Sequence, residues 1–176
     1  MTQYVALFRG INVGRAKAVS MAELASVFSD LGYTDVTTVL RSGNVVFGAQ
    51  KAASADASAQ IEAAVLAATG VHSSVILLDS AGFLTILDTN PLVAEATDGS
   101  RAFVTFVTSM PTSLELPDAN LLAPELLAVG PAAVHQWMPD GSLHTRVPKS
   151  FWKQFDTPVT ARNWNTARKL RTILGG

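Results

Sequence analysis

Cysteine is absent from the 176-residue chain, so disulfides and thiolate metal sites are excluded. Histidine is scarce. His72, His135 and His144 are widely scattered and form no His-x-x-x-His pair, so no zinc site and no cofactor is implied. Charged residues make up 15% against 48% hydrophobic, a balance that excludes disorder as the main reading. No apolar run reaches the length of a membrane span. The opening Met1-Thr2-Gln3-Tyr4-Val5 enters a strand-like run directly, without a basic region and a long apolar stretch behind it. A cytoplasmic protein without membrane association is the expectation. Catalytic signatures are also missing. There is no G-x-S-x-G, and no Ser/His/Asp set has recognisable local context; His144 and Asp156 could serve as a base and its orienter, but any chain of this length offers such pairs.

What is present is uneven. Residues 1–48 hold four Lys/Arg against three Asp/Glu, residues 49–130 two against nine, and residues 131–176 seven against two. An acidic middle and a basic end either attract each other within the fold or present a basic face to an anionic partner.

Local patterns give an element order. Gln3–Phe8 reads as a strand. Ser20 to Leu31 reads as a helix: Ser20-Met21-Ala22-Glu23 is a capping box, and Met21, Leu24, Ala25, Phe28 and Leu31 recur at three and four. Strands follow over 36–40 and 45–47, joined tightly by Arg41-Ser42-Gly43-Asn44. An alanine-rich helix over 54–69 stops at Gly70, and 75–78 is a fourth strand. That order is β-α-β-β-α-β, the ferredoxin-like unit. A short helix begins at Ser80. In the second half, 101–107, 126–129 and 133–138 read as strands and 143–147 as a further one. A short helix falls within 111–123, and helices cover 149–155 and 161–174, the last capped by Thr160. The fold class expected is therefore α+β, with two ferredoxin-like subdomains carrying antiparallel sheets over 1–88 and 101–176 and a linker over 89–100.

Two polar clusters stand out. Phe8-Arg9-Gly10-Ile11-Asn12-Val13-Gly14 follows the first strand, and glycines there let backbone N–H groups point at an anion. The cluster matches neither G-x-G-x-x-G nor G-x-x-x-x-G-K-[ST], and a loop held together by Asn12 is the competing reading. Thr160-Ala161-Arg162-Asn163-Trp164-Asn165-Thr166 opens the last helix. On helical spacing Arg162, Asn165, Thr166 and Lys169 share one side, while Trp164, Ala167, Leu170 and Leu174 share the other, where Trp164 is expected to be core; Asn163 falls with Leu170 and Leu174 and needs hydrogen-bond partners. Sheet aromatics Tyr4, Phe8 and Phe47 invite comparison with an RNA-binding sheet, but the matching signature is missing and the first half is nearly neutral.

Three stretches resemble the bacterial domain-of-unknown-function family 1697: Tyr4 to Gly14, Ser42-Gly43-Asn44-Val45-Val46-Phe47, and Thr160 to Thr166. They occur in that family's order and span nearly the whole chain. The resemblance implies a cytoplasmic α/β protein of ferredoxin-like subdomains and supplies no activity. One departure is that Gly14 is followed by Arg15-Ala16-Lys17 where a glycine is usual. Carried over, the motifs mark Arg9, Gly10, Asn12, Gly14, Ser42, Gly43, Asn44, Arg162, Asn163 and Thr166.

The function expected is binding of a small anionic ligand, bearing phosphate or carboxylate, in a polar groove. Arg9 and Arg162 would hold the anion and Asn12, Asn44 and Asn165 would orient it. Lys149 would add charge, and Gly10, Gly14 and Ser42 would complete the site. The three motifs would then converge. Two alternatives are a nucleic-acid-binding module using residues 131–176 and a structural protein whose polar motifs lock the halves together. Nothing in the residues sets an oligomeric state.

Overall fold

The computed structural model describes residues 1–12 and 18–175. The chain divides into two compact units, one of Met1–Leu84 with Lys169–Gly176 and the other of Thr85–Arg168. The architecture is α+β, with one four-stranded antiparallel sheet in each unit.

In the first unit the elements run β1 (Thr2–Arg9), α1 (Met21–Asp30), β2 (Thr34–Val39), β3 (Asn44–Ala49), α2 (Ala57–Thr69) and β4 (Ser74–Asp79). The expected β-α-β-β-α-β order is therefore found, and the sheet order is β2-β3-β1-β4. The boundaries have local causes. Ser20 accepts from the Glu23 backbone while Glu23 accepts from the Ser20 backbone, so the expected capping box starts α1. Gly70 adopts the left-handed conformation that ends α2. Tyr4, Ala6 and Phe8 of β1 lie in one core with Leu24, Val27 and Phe28 of α1 and Ile61 and Val65 of α2. Tyr4 stacks on Phe47 at 5.6 Å, and Phe8 meets Phe28 edge-on at 6.2 Å. These rings are core, so they are not a platform for stacking bases.

The second unit repeats the plan. Following α3 (Ser80–Asp88) come β5 (Ala102–Val107), α4 (Ala119–Leu122), β6 (Leu126–Val129), β7 (Ala133–Trp137), α5 (Lys149–Trp152) and β8 (Val159–Asn163), and then α6 (Trp164–Ile173), whose residues from Lys169 on belong to the first unit. The sheet order is β6-β7-β5-β8, all antiparallel. Val107, Val134, Phe151 and Phe155 form the core on one face of this sheet.

Three expectations are corrected. The last helix does not begin at Ala161 under a Thr160 cap. Val159–Asn163 is a strand paired to β5, with Phe103 opposite Asn163 and Phe106 opposite Thr160. Pairing to an open strand edge outweighs the helical spacing of the segment. Trp164 is half-buried rather than core, whereas Ala167 and Leu170 are buried. Finally, 143–147 is no strand. Ser142–His144 form a single 3-10 turn, and Leu143 is 95% exposed.

Candidate functional site

Asn12, with φ of 56°, sits in the left-handed region that asparagine tolerates. Its Nδ2 donates to the carbonyls of Val19 at 2.9 Å and Arg41 at 3.0 Å, and its Oδ1 accepts from the Val19 amide at 2.7 Å. Both amide protons are thereby used. The Phe8 amide donates to the Gly43 carbonyl at 2.8 Å. Gly43 has φ of 72°, and a Cβ there would meet Ile11 Cγ2 at 2.3 Å and Phe8 Cβ at 2.8 Å. Asn44 is buried, and its Nδ2 donates to Val39 O at 2.8 Å and Ser42 Oγ at 3.0 Å. The strand end and the hairpin turn thus close on each other, as their polar residues suggest. Arg9 and Gly10 are exposed beside them, and the Arg9 carbonyl accepts from Ser73 Oγ at 2.8 Å. Gly14 lies outside the described residues.

The remaining expected residues belong to the second unit and do not share a helix side. Arg162 lies on β8 and is only 7% exposed, with Nη1 donating to Thr160 Oγ1 and Ala161 O, both at 2.8 Å. Burial pushes its pKa down to about 10, which leaves it charged at neutral pH. Asn165 is exposed in the first turn of α6, and its amide donates to Gly99 O at 3.3 Å. Lys149 is exposed at the start of α5. Asn163 ends β8 and finds its partners in the first turn of α6: Oδ1 accepts from Thr166 N at 2.9 Å and Thr166 Oγ1 at 2.8 Å. It, not Thr160, is the cap of α6.

Cross-strand register puts His135 opposite Val104 and Val104 opposite Arg162, so the two basic side chains flank one valine on the same sheet face. His135 is 2% exposed, and its Nδ1 has no hydrogen-bond partner among the described residues. Desolvation lowers its pKa to about 4, so it is neutral at pH 7.

The other face carries a pocket of about 290 Å³. Phe103, Thr105, Gln136, Val159 and Ala161 form its floor, and Met138, Ser142, Thr145 and Trp152 its walls. Strand alternation explains the floor, since Phe103 lies opposite Gln136 and Thr105 opposite Ala161. Behind it is Glu125, a carboxylate only 4% exposed. Its Oε1 accepts from Gln136 Nε2 at 3.1 Å and Thr145 Oγ1 at 2.7 Å, and its Oε2 from the Arg146 amide at 2.6 Å. The Arg146 guanidinium is engaged with Ala123 O and, at 3.6 Å, with Asp140. A carboxylate accepts only, so the Gln136 NH2 must face it. Gln136 Oε1 is then left to the pocket, and no donor among the described residues reaches it. None of Glu125, Gln136 and Thr105 was marked by a motif. The available signal was Glu125 itself, a lone carboxylate within Leu121-Leu122-Ala123-Pro124-Glu125-Leu126-Leu127; a charge in so apolar a run needs buried partners.

No group of three or more His, Cys, Asp or Glu placed to hold a metal ion occurs among the described residues. No helix there is long and apolar enough to cross a membrane. The model of a family described as "Protein of unknown function (DUF1697)" matches residues 1–132. Among solved structures, the conserved bacterial protein SP0830 from Streptococcus pneumoniae is similar at 27% identity and a TM-score of 0.72, over 98% of each chain. No curated protein matches.

Proposed function

Since the chain belongs to the family of proteins of unknown function DUF1697, we propose a function from its own geometry: it binds a small polar ligand in the pocket of the second unit. The observation that carries this reading is the Gln136 amide. It is 6% exposed, its orientation is fixed by Glu125, and its carbonyl oxygen is spent on no protein donor among the described residues. That oxygen opens on the pocket, where solvent reaches it, and a ligand donor takes the place of water there. Aromatic walls with a few placed polar groups are the usual composition of a small-molecule site, and the volume is near the lower end of the usual range of roughly 300–1,000 Å³. The lining holds no charged side chain. Its ligand therefore differs from the phosphate- or carboxylate-bearing one that Arg9, Arg162 and Lys149 suggest.

The test is a fragment screen against isotope-labelled protein, followed by amide and side-chain NMR shifts. Fragments are expected to move Thr105, Gln136, Thr145 and the Trp152 indole together. Ala161→Leu, a substitution at an exposed position that lines the pocket, should abolish those shifts while leaving the melting temperature nearly unchanged. A screen that moves none of the four, or shifts that persist in Ala161→Leu, would overturn the reading.

A further inference from the structure

We infer that the pocket selects a planar cationic ligand bearing N–H donors, of the amidine or aminated-heterocycle class, and that Glu125 sets this preference without touching the ligand. The inference rests on the pocket being a binding site and deepens that reading. Glu125 Oε1 is bonded to two residues that line the pocket, Gln136 and Thr145. Each donates a hydrogen bond to the carboxylate, so each shows the pocket an oxygen. For Gln136 that oxygen is Oε1. For Thr145 it is Oγ1, which also accepts from the Val147 amide at 3.3 Å.

The charge acts in the same direction. A carboxylate one hydrogen bond behind an amide polarises it and strengthens the carbonyl acceptor at the far end, more so where water is excluded. Arg146 offers Glu125 its backbone amide, while its guanidinium is engaged with Ala123 O and Asp140. The lining thus presents two oriented acceptors backed by negative charge. The aromatic residues agree with this, because Phe103 and Trp152 line the pocket and aromatic rings attract a cation more than an anion. An anion would meet acceptors at the floor and a like charge behind them, and such a mismatch is how a site rejects a ligand of similar shape.

Glu125→Gln gives a readout that a merely structural role would not produce. The Arg146 amide is a fixed donor, so the new side-chain oxygen must face it and the new NH2 must face Gln136 and Thr145. The Thr145 hydroxyl can rotate to accept. The Gln136 amide must turn over, and its NH2 then points into the pocket. One nearly isosteric change therefore converts the floor from acceptor to donor.

The probes are benzamidine and benzoate, equal in size and opposite in charge, titrated by NMR into wild type, Glu125→Gln and Gln136→Leu. In wild type, benzamidine is expected to move Thr105, Gln136 and Thr145 and to bind at least ten times more tightly than benzoate. Gln136→Leu should weaken benzamidine at least tenfold. In Glu125→Gln the preference should reverse. Equal binding of both probes in wild type, or an unchanged preference in Glu125→Gln with a native spectrum, would overturn the inference. If neither probe binds but other fragments occupy the pocket, the ligand class is wrong and the pocket reading stands. If no compound reaches the pocket, both fall. Should Glu125→Gln not fold, Thr145→Val removes one of the two oriented oxygens. It should weaken benzamidine severalfold, and an unchanged affinity would overturn the inference.

Discussion

Asn12 donates through Nδ2 to the carbonyl of Arg41, a residue 29 positions away, and so ties the end of β1 to the turn between β2 and β3. The same side chain also holds Val19 by two bonds. One asparagine therefore anchors three segments of the first unit.

Asn12→Ala removes three hydrogen bonds and leaves alanine at a positive φ. A loss of about 2–4 kcal/mol is expected in urea unfolding. Asn12→Gly should lose about 1 kcal/mol less, because glycine accepts the backbone angle freely. Equal losses would show that the backbone angle contributes nothing.

Gly43→Ala combines a left-handed backbone with a Cβ inside van der Waals contact of Ile11 and Phe8. The expected cost is about 2–4 kcal/mol. Ile11→Ala in the same chain should recover part of the steric share, so the two changes should be non-additive by thermal unfolding. Strict additivity would argue against the contact.

His135 makes stability depend on pH. Its pKa is lowered from 6.5 to about 4 in the folded protein. Between those values the unfolded chain binds more protons, so stability falls as pH drops from about 6.5 to about 4. The loss should approach about 3 kcal/mol at the acid end. His135→Leu should flatten the difference curve across that window while other groups titrate as before. A wild-type slope that survives the substitution would assign the effect elsewhere.

Asn163 caps α6 through its side-chain oxygen. Asn163→Ala should cost about 0.5–2 kcal/mol. Asn163→Asp keeps the acceptor and places negative charge at a helix start, so it should be neutral or slightly stabilising. Matching losses for both would mean that the cap is not what the residue contributes.

The features that proved legible in the sequence were those with local causes. The capping box at Ser20, the stop at Gly70 and the apolar, aromatic run of β1 each depend on neighbours within a few residues. The first unit's topology followed from them. Strand β8 was hidden for the opposite reason. It is paired by β5, far back in the chain, and its own residues fit helical spacing equally well. Arg162 illustrates the same limit, since a charged residue in a polar run reads as surface until its burial is seen. The pocket was illegible as a motif because its parts lie on β5, β7, β8, α5 and the segment after β7, and only cross-strand register and packing bring them together.

Strand β1 is central in its sheet, and both of its edges are filled late: β3 covers one, with Thr2 opposite Ala49, and β4 the other, with Arg9 opposite Ser74. During synthesis, then, a strand buried from Tyr4 to Phe8 leaves the ribosome before the others of its unit and waits for both of its partners. Long-range pairing of this kind slows folding and leaves an open edge on the nascent chain. Strand β5 repeats the predicament in the second unit, with β7 and β8 still to come. Each half of the protein must keep its founding strand from foreign partners until its last strand is made.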